Sequence, residues 1–483
     1  MQPPTDPTPT SRDRLVIAIL LVASFTVILN ETIMNVALPR LMTDLHVDAS
    51  TVQWLATAFM LTMAVVIPTT GFLLQRLTTR AVFFTAMTAF SLGTLLAGLA
   101  PTFEVLLLAR VVQATGTAVM LPLLITTVLT LVPPQRRGVV MGNLSIVISV
   151  APAVGPTLSG LILGSLSWRW MFLLVLPVAL AALLLGARAL TNVGERREST
   201  LDALSVPLAA LGFGGLVYGL STIGTPAGLA GAAWPLGLGV VALALFTWRQ
   251  LRLARRDAAL LDLRAFRFPA FTLGVLLMMI AMTALFGGAI LLPLYFQTIR
   301  GLDTLQTGLL LLPGGLVMGL LAPLVGRLFD RVGPLPLVVP GAVLMTAVLW
   351  AFGGIDARTP VWLLLGLHLV LSVGLALLFT PVFTSTLAPL PARLHSHGSA
   401  ILSTAQQVAG AAGTALLVTV MTARTAALTR GGASPVAAQT AGLQAAFVLA
   451  AVIAVLAVLL ALLQRRSTAG PGLHEDGALN AAD

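Results

Sequence analysis

Three ionisable side chains sit deep inside long apolar runs: Glu31, Arg110 and His368. A charge at such a place costs at least about 2.5–3.5 kcal/mol on insertion scales, and it commonly marks an ion or substrate path. Glu31 precedes the end of its run at Leu38, Arg110 follows Phe103, and His368 follows Val361, each by seven residues. At 1.5 Å per residue, all three lie about 10 Å below one membrane surface. A carboxylate and a guanidinium at one depth can pair when both are ionised. The pair then either carries a coupling proton, with Glu31 as carrier and Arg110 setting its affinity, or is purely structural. His368 is either a third proton-handling group or a packing residue. No other carboxylate is as deep, because Glu104 and Asp330 sit at the ends of their runs.

The surroundings of these residues are a membrane. Of 483 residues, 58% are hydrophobic and 9% charged, against about 25% charged in soluble domains, and the mean hydropathy is +1.00. There is no Cys, which removes disulfides, thiolate metal sites and Cys nucleophiles. All 27 basic residues are Arg, and the net charge is +10. They fall in short loops between apolar runs, a topology signal rather than a nucleic-acid surface. The first run has no small-residue cleavage site, so no removable signal peptide is expected. Paired carboxylates, metal-ligand clusters and phosphate-cradling glycine loops are missing from the runs. A membrane-embedded enzyme or receptor is therefore the weaker alternative, and no cofactor or metal is expected beyond a coupling proton.

Apolar runs long enough to span, about 20 residues each, lie near 15–38, 52–74, 81–100, 103–130, 139–163 and 168–188. Two more follow near 203–222 and 231–248, and six near 270–298, 306–328, 335–353, 361–385, 398–421 and 442–463. The fold class is therefore all-α and integral to the membrane, with fourteen spans. The chain divides into a disordered tail (1–13), a six-helix bundle (14–188), a linker with two extra helices (189–268), a second bundle (269–464) and a disordered tail (465–483). Loops on the side of the chain ends carry twenty Arg and the opposite loops six, so both termini are expected in the cytoplasm of a bacterial inner membrane. The run Arg249 to Arg267 reads as a juxtamembrane anchor that attracts anionic lipid. His395 and His397 read as loop residues, too few for a metal site.

An internal repeat ties the two halves together. Pro68, Gly71, Leu73, Gln75 and Arg76 match Pro323, Gly326, Leu328, Asp330 and Arg331 at a constant offset. Repeated halves about a central site are a common transporter plan. In the run near 139–163, Pro152 and Pro156 each remove a backbone donor and kink the helix. Ala151, Gly155 and Ser159 form a small-residue stripe that a neighbour can approach closely, and Gly160 follows.

With these motifs in place, residues 15–463 resemble the major facilitator superfamily, and within it the fourteen-helix drug:proton antiporters. The stretch Leu29 to Pro39 is similar to the family's Leu-Asp-x-Thr-Ile-Val-Asn-Val-Ala-Leu-Pro, with Asn30 at the acidic position and Glu31 following it. The Gln75 and Asp330 loops resemble the Gly-x-Leu-x-Asp-Arg signature. Arg110 and Gln113 resemble the Arg-x-x-Gln-Gly motif, with Ala114 where Gly is usual. Pro152, Gly155, Pro156 and Gly160 resemble the antiporter motif, and Trp168 to Phe172 the start of helix 6. The resemblance implies two six-helix bundles, alternating access and proton-coupled export of lipophilic, often cationic compounds by a monomer. A metabolite or nutrient symporter is the alternative within the superfamily. Helix identity and residue type nominate Asn30, Met34, Asn35, Trp54, Gln113, Met120, Met282, Phe286 and Tyr295 as cavity walls. Gln75, Arg76, Asp330 and Arg331 are nominated with the proline motif as conformational elements.

Overall fold

The computed structural model describes residues 10–133, 136–193, 202–223 and 228–467. With no water in the bilayer core, each backbone N–H and C=O must be paired within its own segment, so apolar runs of this length form helices. The described residues hold fourteen helical spans. The first bundle is α1 (Ser11–Asp44), α2 (Ala49–Arg76), α3 (Thr79–Gly98), α4 (Phe103–Leu131), α5 (Arg137–Ser165) and one span in two pieces, α6 (Trp170–Leu173) and α7 (Val175–Ala189). The inserted pair is α8 (Ser205–Ile223) and α9 (Gly228–Ala254). The second bundle is α10 (Pro269–Leu294), α11 (Thr304–Val332), α12 (Leu335–Phe352), α13 (Val361–Leu387), α14 (His395–Arg430) and α15 (Pro435–Ser467).

Polar side chains fix where several helices start. Thr10 and Asp13 form a capping box on α1, and Asp303 with Gln306 forms another on α11. These reciprocal bonds satisfy donors that a helix start leaves open. The first box corrects one boundary: Thr10 to Asp13 belong to the start of α1 rather than to a tail, while residues 1–9 lie outside the described residues. At the other end α15 continues to Ser467, beyond the expected boundary at 464. His395 and His397 are likewise not loop residues. They form the buried first turn of α14, and His395 Nε2 meets the Leu390 carbonyl at 2.9 Å.

With fourteen spans the start of α1 and the end of α15 lie on one face, called here the near face. The two bundles meet along two seams, α5 against α11 and α2 against α14. The first is the most extensive helix pairing in the molecule. The inserted α8 lies against both α2 and α14, and so covers the second seam. There Val217 of α8 is buried between Ala64 of α2 and Ala411 of α14.

Candidate functional site

The site is built where α1 and α4 cross. Arg110 is 1% exposed, and the equal depth expected of helices α1 and α4 is what the structure has. Its partner, however, is not Glu31. Nη1 donates to Asn30 Oδ1 at 3.4 Å and to Gln113 Oε1 at 3.0 Å. Gln113 Nε2 passes the chain of bonds to Thr94 Oγ1 on α3 at 2.9 Å. The guanidinium lies 4.0 Å from the ring centroid of Phe59 on α2. The aromatic face supplies negative potential to a desolvated cation.

Glu31 makes no ion pair within 4.0 Å among the described residues, which corrects the direct bridge that equal depth allows. The reason is helical geometry: adjacent positions differ by about 100°, so only one of Asn30 and Glu31 can aim at Arg110. Asn30 is 2% exposed and takes that position, whereas Glu31 is half-buried and within electrostatic reach of Arg110. The arrangement leaves a partly exposed carboxylate near a buried cation. Such a carboxylate can exchange a proton, and the cation biases which form it holds.

The remaining nominated residues scatter. Met34, Met120, Met282 and Tyr295 are packed in the interior. The Tyr295 hydroxyl donates to the Asp356 carbonyl at 2.6 Å. Phe286 packs on Gly410 of α14. Trp54 faces outward and stacks on Tyr218 of α8 at 5.8 Å, in an apolar groove of about 480 Å³ between α2 and the inserted pair. The side chain of Asn35 lies outside the described residues. His368 Nε2 meets the Leu311 carbonyl on α11 at 3.1 Å, away from the Arg110 group and within the second bundle. Among the described residues no three His, Asp or Glu side chains converge as a metal site would need.

Part of the conformational motifs falls on the seams. Gly155 packs against Thr32, and Ala151 O accepts from Thr32 Oγ1 at 3.4 Å, so the small-residue stripe serves α1. Gly160 instead faces Leu305 on α11, and Pro156 lies beside Gly308 of the same helix. Helix α5, with Pro152 and Pro156 inside it, thus has one side in its own bundle and one on the seam. On the near face, Gln75 Nε2 donates to Arg393 O at 3.0 Å. There Asp330 accepts from the N–H of Gly138 and Val139 at 2.9 and 3.2 Å. Further in, Ser145 meets Thr380 at 2.7 Å and Thr126 meets Ser399 at 3.0 Å. These contacts cross between the bundles, and each is in the near half. Arg76 lies over the Phe72 ring, and Arg331 is exposed.

Sequence reasoning did not find Phe59, Thr94, Gly138 or Val139 as parts of these sites. Asn30 carried a readable signal, since it occupies the position at which the resembling family has its acid.

A sequence profile of the Major Facilitator Superfamily matches residues 20–414. The lincomycin resistance protein LmrB of Listeria monocytogenes is 42% identical, over 94% of this chain and 97% of that protein. LmrB of Bacillus subtilis is 41% identical over 92% and 95%. The multidrug resistance protein B homolog of Mycobacterium tuberculosis is 30% identical over 85% and 77%. Among solved structures, the human organic anion transporter MFSD10 superposes with a TM-score of 0.65 at 18% identity, over 95% of this chain and all of that one. The proton:xylose symporter XylE gives 0.59 at 17%, over 92% and 95%. A fourteen-span helical fold, paired motifs on both seams and a match over most of the chain have one reading: the protein belongs to the Major Facilitator Superfamily of membrane transporters.

Proposed function

We propose that this transporter exports lipophilic, often cationic compounds in exchange for protons, by alternating access between the two bundles. The carrying observation is the half-buried Glu31 beside the fully buried Arg110, Asn30 and Gln113 group. Protonation of Glu31 changes the charge facing the cavity, and the near-face seam contacts open and close in turn. The names of the relatives support drug export and make lincomycin the first compound to assay. The excess of Arg on the near-face loops supports a cytoplasmic near face. With both ends inside, a Cys placed at Ser434, between α14 and α15, reacts with an impermeant reagent in intact cells.

The test is efflux from proteoliposomes, with and without a pH gradient, for a compound panel that includes lincomycin. Glu31→Gln keeps shape and hydrogen bonding but cannot release a proton. Gradient-driven efflux should vanish in this variant while compound binding persists. Wild-type efflux by Glu31→Gln would remove Glu31 from the mechanism and turn attention to His368.

A further inference from the structure

Six arginines lie along the last turns of α9 and the linker to α10, and the structure sorts them into two groups. Arg249 is held by both oxygens of Asp202 at 2.6 Å. Arg264 bridges Asp262 and Asp257. The Leu261 N–H donates to Gln250 Oε1 at 3.1 Å, which folds the linker back along α9. These bonds consume two of the guanidinium groups and give the linker its shape. The other four, Arg252, Arg255, Arg256 and Arg267, are exposed.

The exposed four share their end of the molecule with two exposed aromatics, Trp248 (51%) and Phe266 (42%). The Arg252 guanidinium is stacked 3.8 Å from the Trp248 ring centroid, one turn along α9. Span α9 ends at Ala254, so Trp248 is at the rim of the apolar layer and the arginines are just beyond it. Aromatic rings favour that rim, and guanidinium groups there meet lipid phosphates. Among the described residues of the linker the one exposed acid, Asp257, is already ion-paired with Arg264.

We propose that Arg252, Arg255, Arg256 and Arg267 form a docking site for the headgroup of an anionic phospholipid, with Trp248 and Phe266 against its glycerol and upper chains. A soluble anion satisfies the charges but leaves both rings uncovered, so the combined surface fits a lipid. The site does not depend on which compound the transporter carries. It goes beyond a general attraction to charge, because the internal ion pairs select which four arginines face the lipid.

The test places the full-length protein in vesicles containing brominated phosphatidylglycerol or brominated phosphatidylcholine at equal mole fraction. Quenching of Trp248 is read as the difference between wild type and Trp248→Phe. Quenching by the anionic lipid should exceed that by the neutral lipid about threefold at low salt, and fall as salt screens the charges. The quadruple variant Arg252→Gln/Arg255→Gln/Arg256→Gln/Arg267→Gln should quench equally with both lipids. If that variant fails to fold, Arg255→Gln/Arg256→Gln, which leaves the Arg252 stack intact, should lose about half of the preference. Equal quenching in wild type overturns the proposal. So does an undiminished preference in the variants, or loss of the preference to millimolar inorganic phosphate.

Discussion

The carboxylate of Asp330 on α11 caps the N-terminus of α5 across the seam, with one oxygen on Gly138 N–H and the other on Val139 N–H. Helix α5 has no side-chain cap of its own, since Arg136 makes none. Open N–H groups and the positive end of the helix dipole make that terminus a natural place for an anion. A substituted Cβ at Gly138 would collide with the same carboxylate, so the close approach needs glycine there.

Asp330→Asn should therefore loosen the near-face seam. Losing a charged cap costs about 1 kcal/mol, which multiplies the open population roughly fivefold. Ser145, 1% exposed and bonded to Thr380 across the seam, is a suitable reporter. In a Ser145→Cys background the maleimide reaction rate should rise on adding Asp330→Asn. An unchanged rate would show that the cap does not hold the seam.

The position of the acid relative to Arg110 can be tested by moving it. Asn30→Asp places a carboxylate where Asn30 Oδ1 now accepts from Arg110 at 3.4 Å. Combined with Glu31→Gln, it should restore measurable gradient-driven efflux. Asn30→Ala alone should spare most transport while costing about 1 kcal/mol of stability for the lost hydrogen bond. No recovery in the double variant would mean that the coupling acid must stay off the Arg110 axis.

Phe59→Leu removes the ring under Arg110 while keeping an apolar side chain. The buried cation–π contact is worth about 2 kcal/mol, so thermal stability should drop and Arg110 should lose its fixed position. Phe59→Tyr retains the ring and should stay near wild type. Equal stability of the Leu and Tyr variants would count against the contact.

Asp202 anchors the inserted pair. Hydrogen bonds from Arg249 chiefly, with help from Ser205, hold its carboxyl down from 3.8 to about 2 despite the opposing effect of burial. A depressed folded-state value stabilises above the unfolded value and is lost as pH falls through the folded one. The contribution, at most about 2 kcal/mol, is thus complete above pH 4 and fades between about 4 and 2. Asp202→Asn should weaken α8–α9 packing by an amount that does not vary between pH 5 and 8. A pH-dependent difference within that window would assign the effect to another group.

The inserted helices lie outside the repeat and carry no charge within their apolar runs, which makes them passive in the proton step; Val217 nevertheless packs in the α2–α14 seam. Val217→Ala should be tolerated. Val217→Trp overpacks a site bounded by Ala64 and Ala411, at a cost of about 1–3 kcal/mol, and should slow turnover without altering the Arg110 group. Normal turnover with Trp at that position would restore the passive reading.

Much of the fold was legible because a bilayer leaves the chain few options: run length gives the span, and loop arginines give the expected side. Boundaries failed where polar side chains extended a helix, as Thr10 and Asp13 do for α1. The site was legible to within one residue. Depth along the axis follows from counting, so Arg110 was set level with residues 30 and 31. Azimuth does not, and which of Asn30 and Glu31 faces Arg110 depends on how α1 is rotated against α4. Seam partners such as Gly138 and Asp330 lie on helices far apart in sequence, and no local pattern pairs them.

Gln75 and Asp330 occupy matching places in the repeat, as do Gly138 and Arg393, yet the two latches are not equal. One is a charged cap with two bonds, the other a neutral amide on a single carbonyl. Like a door, the molecule then has its stronger latch at α5–α11 and its weaker one at α2–α14, so in the proposed cycle the α2–α14 edge is expected to part first. The inserted pair stands over that edge as a jamb, with α8 laid along both α2 and α14.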